Sequence, residues 1–128
     1  MNDLVLVGGA GGIGRSLAKR ALQDGWKVTV MDLSKSLQRH PPEQGIKSIE
    51  IDLTNPTSIS NAFSNLDQLT GFVNLAGYLQ GLSSIEKTTS TEFDDVINLN
   101  LKGAFLVAKQ ALKLLRVNGG SMVNVVSG

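Results

Sequence analysis

The sequence predicts an α/β fold in which a parallel sheet lies between two layers of helices. Short aliphatic runs, each long enough for one strand, alternate along the chain with segments whose apolar residues recur at helical spacing. A run of glycines follows the first strand and opens the first helix. Because strands joined through helices form parallel sheets with right-handed crossovers, we expect the spatial strand order 3-2-1-4-5.

The first part of the chain contains two strands, one helix and a loop. Residues 4–7 are an aliphatic run, typical of a strand that is buried on both faces. Helix 1 runs from Gly12 to about Asp24, and Gly25 provides its stop. Strand 2 covers residues 27–31, and the polar stretch after it contains Pro41 and Pro42. Since proline lacks an N–H group and has a fixed φ, we expect no regular structure in that stretch.

The second part of the chain ends in a long helix and a fifth strand. Strand 3 is predicted at residues 46–51, helix 2 at residues 56–65 after an Asn55 cap, and strand 4 at residues 69–75. A polar loop at residues 80–90, a long helix at residues 91–117 and strand 5 at residues 121–126 follow. The long helix carries apolar residues on more than one face, so it has more surface to cover than one sheet can bury.

Composition narrows the class of protein without naming a macromolecular partner. A chain of 128 residues with 41% hydrophobic residues is expected to form a single folded domain. Twelve basic and eleven acidic side chains leave a net charge of +1, with no basic cluster for nucleic acid or an anionic membrane. The absence of cysteine excludes disulfides and thiolate metal sites, and we expect no metal centre. This composition fits a cytoplasmic protein.

The glycine run at residues 8–14 predicts a binding site for a dinucleotide. A pyrophosphate must approach the backbone at a helix N-terminus, where unpaired N–H groups and the helix dipole favour negative charge. A Cβ atom would block that approach. The run satisfies three glycine registers, namely Gly9-x-Gly11-x-x-Gly14, Gly8-x-x-Gly11-x-x-Gly14 and Gly8-x-x-x-Gly12-x-Gly14. The run alone does not choose among them.

Asp32, at the end of strand 2, indicates which dinucleotide is bound. An acidic side chain eighteen positions after Gly14 can accept hydrogen bonds from the adenosine ribose hydroxyls. It would repel a 2′-phosphate, so Asp32 favours NAD over NADP. Arg15 and Lys35 lie close enough in sequence to leave NADP as the less favoured alternative.

Five motifs in order resemble those of the short-chain dehydrogenases/reductases. They are Gly8-x-x-x-Gly12-Ile13-Gly14, Asp52 after strand 3, Asn74-Leu-Ala-Gly77 after strand 4, Asn100-Leu-Lys-Gly103 in the long helix, and Asn124-Val-Val-Ser127. The resemblance covers the whole chain and selects the third glycine register. It implies a Rossmann-type fold, and hydride transfer between a nicotinamide cofactor and an alcohol or carbonyl substrate.

The resemblance also implies roles for individual residues. Asp52 and the backbone of Leu53 would bracket the adenine, and the ribose side would be lined by Asn74, Ala76 and Gly77. A purely structural role for Asn74, as a buried amide that holds two strands together, is an equal alternative. In the helix, Asn100 would hold a water molecule of the proton relay and kink the helix, and Ser127 would bind the substrate oxygen.

The remaining members of the family's catalytic set are missing from these 128 residues. The pattern requires a tyrosine about a dozen positions after Ser127 and a lysine four residues beyond it, but the one tyrosine is Tyr78, followed at plus four by Leu82. Two further departures are Val7 in place of threonine and Leu75 in place of asparagine. We therefore interpret the chain as a truncated cofactor-binding half that is inactive alone. The alternative is a stand-alone, non-catalytic nucleotide-binding or assembly module.

The predicted sheet and long helix lead us to expect self-association. Strand 5 would be an exposed edge, and exposed edges pair with other strands. The apolar face of the long helix would also lack a cover. We expect a homodimer or higher oligomer, formed through the long helix or through strand 5. His40, the one histidine, is interpreted as a surface residue.

Overall fold

The structure is a computed structural model that describes residues 2–79, 81 and 83–126. The strands of this part of the chain form one five-stranded sheet. The strands are β1 (Asp3–Val7), β2 (Lys27–Asp32), β3 (Lys47–Glu50), β4 (Gly71–Asn74) and β5 (Ser121–Asn124). Neighbouring strands all pair in parallel, in the order β3-β2-β1-β4-β5. The predicted fold class and strand order are confirmed, although β3, β4 and β5 are shorter than predicted.

The helices are α1 (Gly12–Gln23), α2 (Ser34–Arg39), α3 (Pro56–Ser64), α4 (Ser90–Ile97) and α5 (Ala104–Asn118). At the start of α3, the Asn55 side chain accepts hydrogen bonds from the N–H groups of Thr57 and Ser58, so the predicted cap is confirmed. At the start of α4, Thr89 and Glu92 form a capping box. Among the described residues, no helix has the length and apolar character needed to cross a membrane.

The core lies on both faces of the sheet, because alternate residues of the central strands point to opposite sides. On one face, Leu4 and Leu6 of β1 pack with α1. On the other face, Val5 and Val7 pack with α3 and α5. This arrangement confirms the three predicted layers and the burial of strand 1 on both faces.

Helix α2 occupies part of the stretch predicted to lack regular structure, and that prediction is wrong for Ser34–Arg39. The proline pair prevents the helix from continuing past His40, but it does not restrict the residues before His40. His40 itself has φ −131° and ψ 75°, which agrees with the non-helical preference of a residue before proline. Leu37 packs against the α1 side of the core and gives this short helix its anchor.

The predicted long helix is interrupted by a π-helical segment, Asn98–Gly103, between α4 and α5. Gly103 is buried at the end of this segment, where the helix comes very close to the loop after β3. A Cβ atom on Gly103 would lie 2.9 Å from the Cβ atom of Leu53 and 3.0 Å from its carbonyl oxygen. The glycine therefore sets the distance between the long helix and one wall of the site described next.

Candidate functional site

A cleft of about 690 Å³ lies at the carboxyl ends of the strands. Its walls include Gly8 after β1, Asp32 at the end of β2, Asp52 after β3 and Leu75 after β4. From β1 the sheet extends in one direction through β2 and in the other through β4, so the strand order reverses here. In open α/β sheets, ligands bind at this kind of switch point.

The glycine turn between β1 and α1 is shaped by contacts that exclude side chains. Gly8 has φ +79°, and a Cβ atom there would lie 2.7 Å from the backbone nitrogen of Ala76. A Cβ atom on Gly14 would lie 2.5 Å from the Cα atom of Gly9. At Gly12, in contrast, a Cβ atom would meet no heavy atom within 4 Å. Gly8 and Gly14 are thus required by packing, whereas the chain itself leaves the space at Gly12 free.

The amino terminus of α1 has the features of an anion-binding site. Its N-cap, Gly11, offers no side-chain cap, and the first turn contains no acidic residue. Within the described ranges, the N–H groups of Gly12, Ile13 and Gly14 have no hydrogen-bond acceptor. Unpaired N–H groups at the positive end of the helix dipole, beside open space, fit the pyrophosphate of a dinucleotide.

Asp32 lies in the cleft and is bound to two backbone groups. One carboxylate oxygen, Oδ2, accepts a hydrogen bond from the N–H of Ala10 at 3.0 Å. The other, Oδ1, accepts from the N–H of Leu33 at 2.8 Å. Each carboxylate oxygen can accept more than one hydrogen bond, so capacity for ribose hydroxyls remains.

Asp52 and Leu53 lie in the cleft at the turn between β3 and α3. The Oδ1 atom of Asp52 accepts hydrogen bonds from the N–H and the hydroxyl of Thr54, at 2.9 and 2.7 Å. The N–H of Asp52 donates to the Ser58 hydroxyl at 2.9 Å. These local bonds fix the turn and hold Leu53, which is buried, against the cleft.

The end of β4 holds a buried asparagine, and the segment after β4 lines the cleft. Asn74 is 3% exposed, and its Oδ1 atom accepts a hydrogen bond from the N–H of Ala76 at 3.1 Å. Ala76 and Gly77 line the cleft, but Asn74 does not. Its carbonyl oxygen accepts from the N–H of Val125, beyond β5. The side chain of Asn74 therefore fixes the start of the loop that follows β4, whereas the bond towards β5 is made by its backbone.

Of the two predicted catalytic residues, one can be placed. Asn100 lies in the π-helical segment, and its side chain is bonded to the backbone of Tyr78. Its Oδ1 atom would lie 3.7 Å from a Cβ atom on Gly77, which places it directly behind the cleft wall. Ser127 falls outside the described residues, as does Leu82.

The cleft also contains residues that sequence reasoning missed. One wall is formed by α2 and its ends, with Leu33, Ser36, Arg39 and His40. The long helix adds a second wall, with Asp95 and Leu99. His40 is half-buried and also borders a smaller neighbouring cavity, so it is more than a surface residue. The four-residue spacing of Leu33 and Leu37 is the helical signal that could have revealed the first wall. Among the described residues, no group of three or more potential metal-ligating side chains occurs.

The parallel sheet, the flanking helices and the glycine turn define a Rossmann-like fold. The family model described as short chain dehydrogenase matches residues 3–128, and this chain belongs to that family.

Comparison with known proteins shows both the kinship and its extent. Levodione reductase of Leifsonia aquatica is 28% identical over 94% of this chain and 49% of its own length. A crystal structure of levodione reductase matches with a TM-score of 0.83 and 26% identity, over 98% of this chain and 54% of the other. Serine dehydrogenase complexed with NADP+ has a TM-score of 0.86 at 22% identity, over 98% and 54%. The chain therefore spans about half the length of the relatives it matches.

Proposed function

We propose that this chain binds a nicotinamide dinucleotide in the cleft and supplies the cofactor-binding part of an oxidoreductase. The observation that carries the proposal is the open amino terminus of α1. Three N–H groups without an acceptor among the described residues adjoin space that no atom fills at Gly12. Membership of the short-chain dehydrogenase family supports the same conclusion.

The residues around the cleft, together with those at the amino terminus of α1 beside it, divide between the parts of the ligand. Gly12, Ile13 and Gly14 would hold the pyrophosphate through their N–H groups. Asp32 would accept hydrogen bonds from the adenosine ribose hydroxyls, next to Gly8. The adenine would lie beside Asp52 and Leu53, and the segment with Ala76 and Gly77 would close the side towards β4.

We propose NAD as the preferred cofactor, and NADP as the weaker alternative. The carboxylate of Asp32 would repel a 2′-phosphate attached to the ribose that it binds. Arg39 lines the same cleft, and it supports some residual binding of NADP. One structural neighbour, serine dehydrogenase, is complexed with NADP+, which supports keeping NADP as the alternative.

In the proposed reaction, the bound nicotinamide exchanges a hydride with an alcohol or carbonyl substrate. This chain would orient the cofactor, with Asn100 holding the loop at Tyr78 and Ser127 binding the substrate oxygen. No Tyr-x-x-x-Lys sequence occurs in the 128 residues. The expected behaviour of these residues alone is therefore cofactor binding without turnover.

The proposal is tested by titrating NAD into the 128-residue chain in a calorimeter, with NADP in a parallel experiment. Saturable binding with one site per chain, and weaker binding of NADP, is expected. Absence of NAD binding would contradict the proposal. A parallel assay for NADH formation with alcohols is expected to give no signal, and turnover would contradict the assignment of a non-catalytic half.

We also propose that the chain pairs with a second copy of itself through the long helix. Several large apolar side chains of this helix face solvent, among them Leu101, 64% exposed, and Phe105, 59% exposed. Helix α4 contains three acidic residues and no basic one, whereas α5 contains three basic residues and no acidic one. In an antiparallel, two-fold pair, the acidic end of one helix meets the basic end of the other.

A further inference from the structure

Four successive N–H groups of the glycine turn, from Gly8 to Gly11, donate to acceptors within the protein. The N–H groups that follow, at the start of α1, have no acceptor among the described residues. The N–H of Gly8 donates to the carbonyl oxygen of Met31 at 2.8 Å, and that of Gly9 to the same oxygen at 3.4 Å. The N–H of Ala10 donates to Oδ2 of Asp32 at 3.0 Å. The N–H of Gly11 donates to the carbonyl oxygen of Gly8 at 3.3 Å. Gly8, Gly9 and Ala10 are thus bonded to the end of β2. The N–H groups proposed to face the ligand begin shortly after them.

Asp32 is the one side chain in this series, since the other acceptors are backbone carbonyls. Ala10 is 3% exposed, so its N–H lies where water does not easily replace a lost acceptor. The two residues are 22 positions apart in sequence, which means that the bond joins separate segments of the site. A substitution at Asp32 can therefore remove part of the anchorage of the turn.

The second oxygen of the carboxylate extends this anchorage to α2. Oδ1 of Asp32 accepts the N–H of Leu33, which is the N-cap residue of α2. Ser36 and Arg39 of that helix line the cleft. One carboxylate therefore connects the glycine turn with the start of the helix that forms one wall of the cleft.

We infer that Asp32 is a positioning residue for the diphosphate-binding turn, in addition to its proposed contact with the ribose. This inference rests on the proposed dinucleotide site. The turn presents the N–H groups of Gly12, Ile13 and Gly14 in the correct place because Asp32 holds Ala10. Loss of the acceptor then weakens the binding of any diphosphate, including one that carries no ribose.

The inference is tested with inorganic pyrophosphate, which has neither ribose nor adenine. The variants D32A and D32N both remove the negative charge, but only asparagine keeps an oxygen that can accept the N–H of Ala10. We expect D32A to bind pyrophosphate about tenfold more weakly than D32N in an NMR titration, the loss of one hydrogen bond to a buried donor. Equal affinity of the two variants would overturn the inference. If Asp32 recognised only the ribose, NAD binding alone would change.

A second measurement, which needs no ligand, tests whether Asp32 holds Ala10 in place. The hydrogen exchange rate of the Ala10 amide is expected to rise in D32A and to return towards the wild-type rate in D32N, whereas the amide of Val5 in the core strand stays protected in both. An unchanged rate for Ala10 in D32A would contradict the positioning role. If the wild-type chain binds neither NAD nor pyrophosphate, the proposed function fails, while the exchange rates still test whether Asp32 holds the turn.

Discussion

The side chain of Asn100 forms two hydrogen bonds with the backbone of Tyr78, on the loop that follows β4. Its Oδ1 atom accepts the N–H of Tyr78 at 2.8 Å, and its Nδ2 group donates to the carbonyl oxygen of Tyr78 at 2.6 Å. The pair joins the π-helical segment to the cleft wall across 22 residues of sequence. Asn100 therefore fastens this loop to the π-helical segment.

The variant N100A is expected to loosen the loop. It removes both hydrogen bonds, so the Tyr78 amide should exchange faster with solvent, and the free energy of unfolding should fall by about 1 kcal/mol. NAD affinity should fall with it, since Ala76 and Gly77 line the cleft. N98A is the matched control, because Asn98 begins the same segment. Equal exchange rates of Tyr78 in the two variants would contradict this role.

The variant G103A is expected to destabilise the chain by about 1–3 kcal/mol, as other overpacked core positions do. Its new methyl group would lie 2.9 Å from the Cβ atom of Leu53 and would push that residue towards the cleft. Urea denaturation measures the effect, with G12A as the control because nothing lies within 4 Å of a Cβ atom there. If G103A and G12A had equal free energies of unfolding, the helix would move away from Leu53 without loss of stability, which contradicts the prediction.

The variant D32A is expected to reduce the preference for NAD over NADP. Removing the carboxylate ends the repulsion of the 2′-phosphate, while loss of the Ala10 hydrogen bond weakens the binding of both dinucleotides. The ratio of the two dissociation constants, measured by calorimetry, reports the change at the ribose, because the loss of the Ala10 bond affects both dinucleotides alike. D24A removes an exposed carboxylate at the far end of α1 and should leave the ratio unchanged. An unaltered ratio in D32A would show that Asp32 does not face the ribose.

The variant F105K is expected to dissociate the proposed pair of chains. In the pair, a lysine in the centre of the apolar helix surface would be buried without an oppositely charged partner. Such a burial costs more free energy of association than a substitution on the free surface. Sedimentation at micromolar concentration measures the state, and I85K is the control because Ile85 is exposed outside the helices. Rising salt should weaken the wild-type pair. A wild-type chain that sediments as a monomer would refute the pairing.

The sequence predicted the sheet better than it predicted the helices around the cleft. Aliphatic runs identify the strands, and the rules for connecting them restrict their order. Prolines 41 and 42 led to the prediction of a loop, although they restrict only the residues near them, and α2 was missed. Apolar spacing also did not reveal the π-helical segment, because the predicted long helix carries apolar residues on more than one face, and a local shift in their register is therefore not evident.

The candidate site was predictable where residues follow a strand directly. Gly8, Asp32, Asp52 and Ala76 all lie in the cleft, because parallel strands end at a common edge. Asp95 and Leu99 reach the cleft only through the packing of the long helix over the loop after β3. That contact depends on tertiary distances, which no local pattern encodes.

The central claim is that a dinucleotide pyrophosphate occupies the space at the amino terminus of α1, and Gly12 allows the most direct test. A Cβ atom at Gly14 would collide with Gly9, but a Cβ atom at Gly12 meets nothing within 4 Å, so a side chain there should leave the fold intact. NAD titration of G12V should show a loss of affinity of about tenfold or more, since the valine fills the approach to the N–H groups. Q23V, at the other end of the same helix, should bind NAD like the wild type. Equal NAD affinity of G12V and Q23V would contradict the claim.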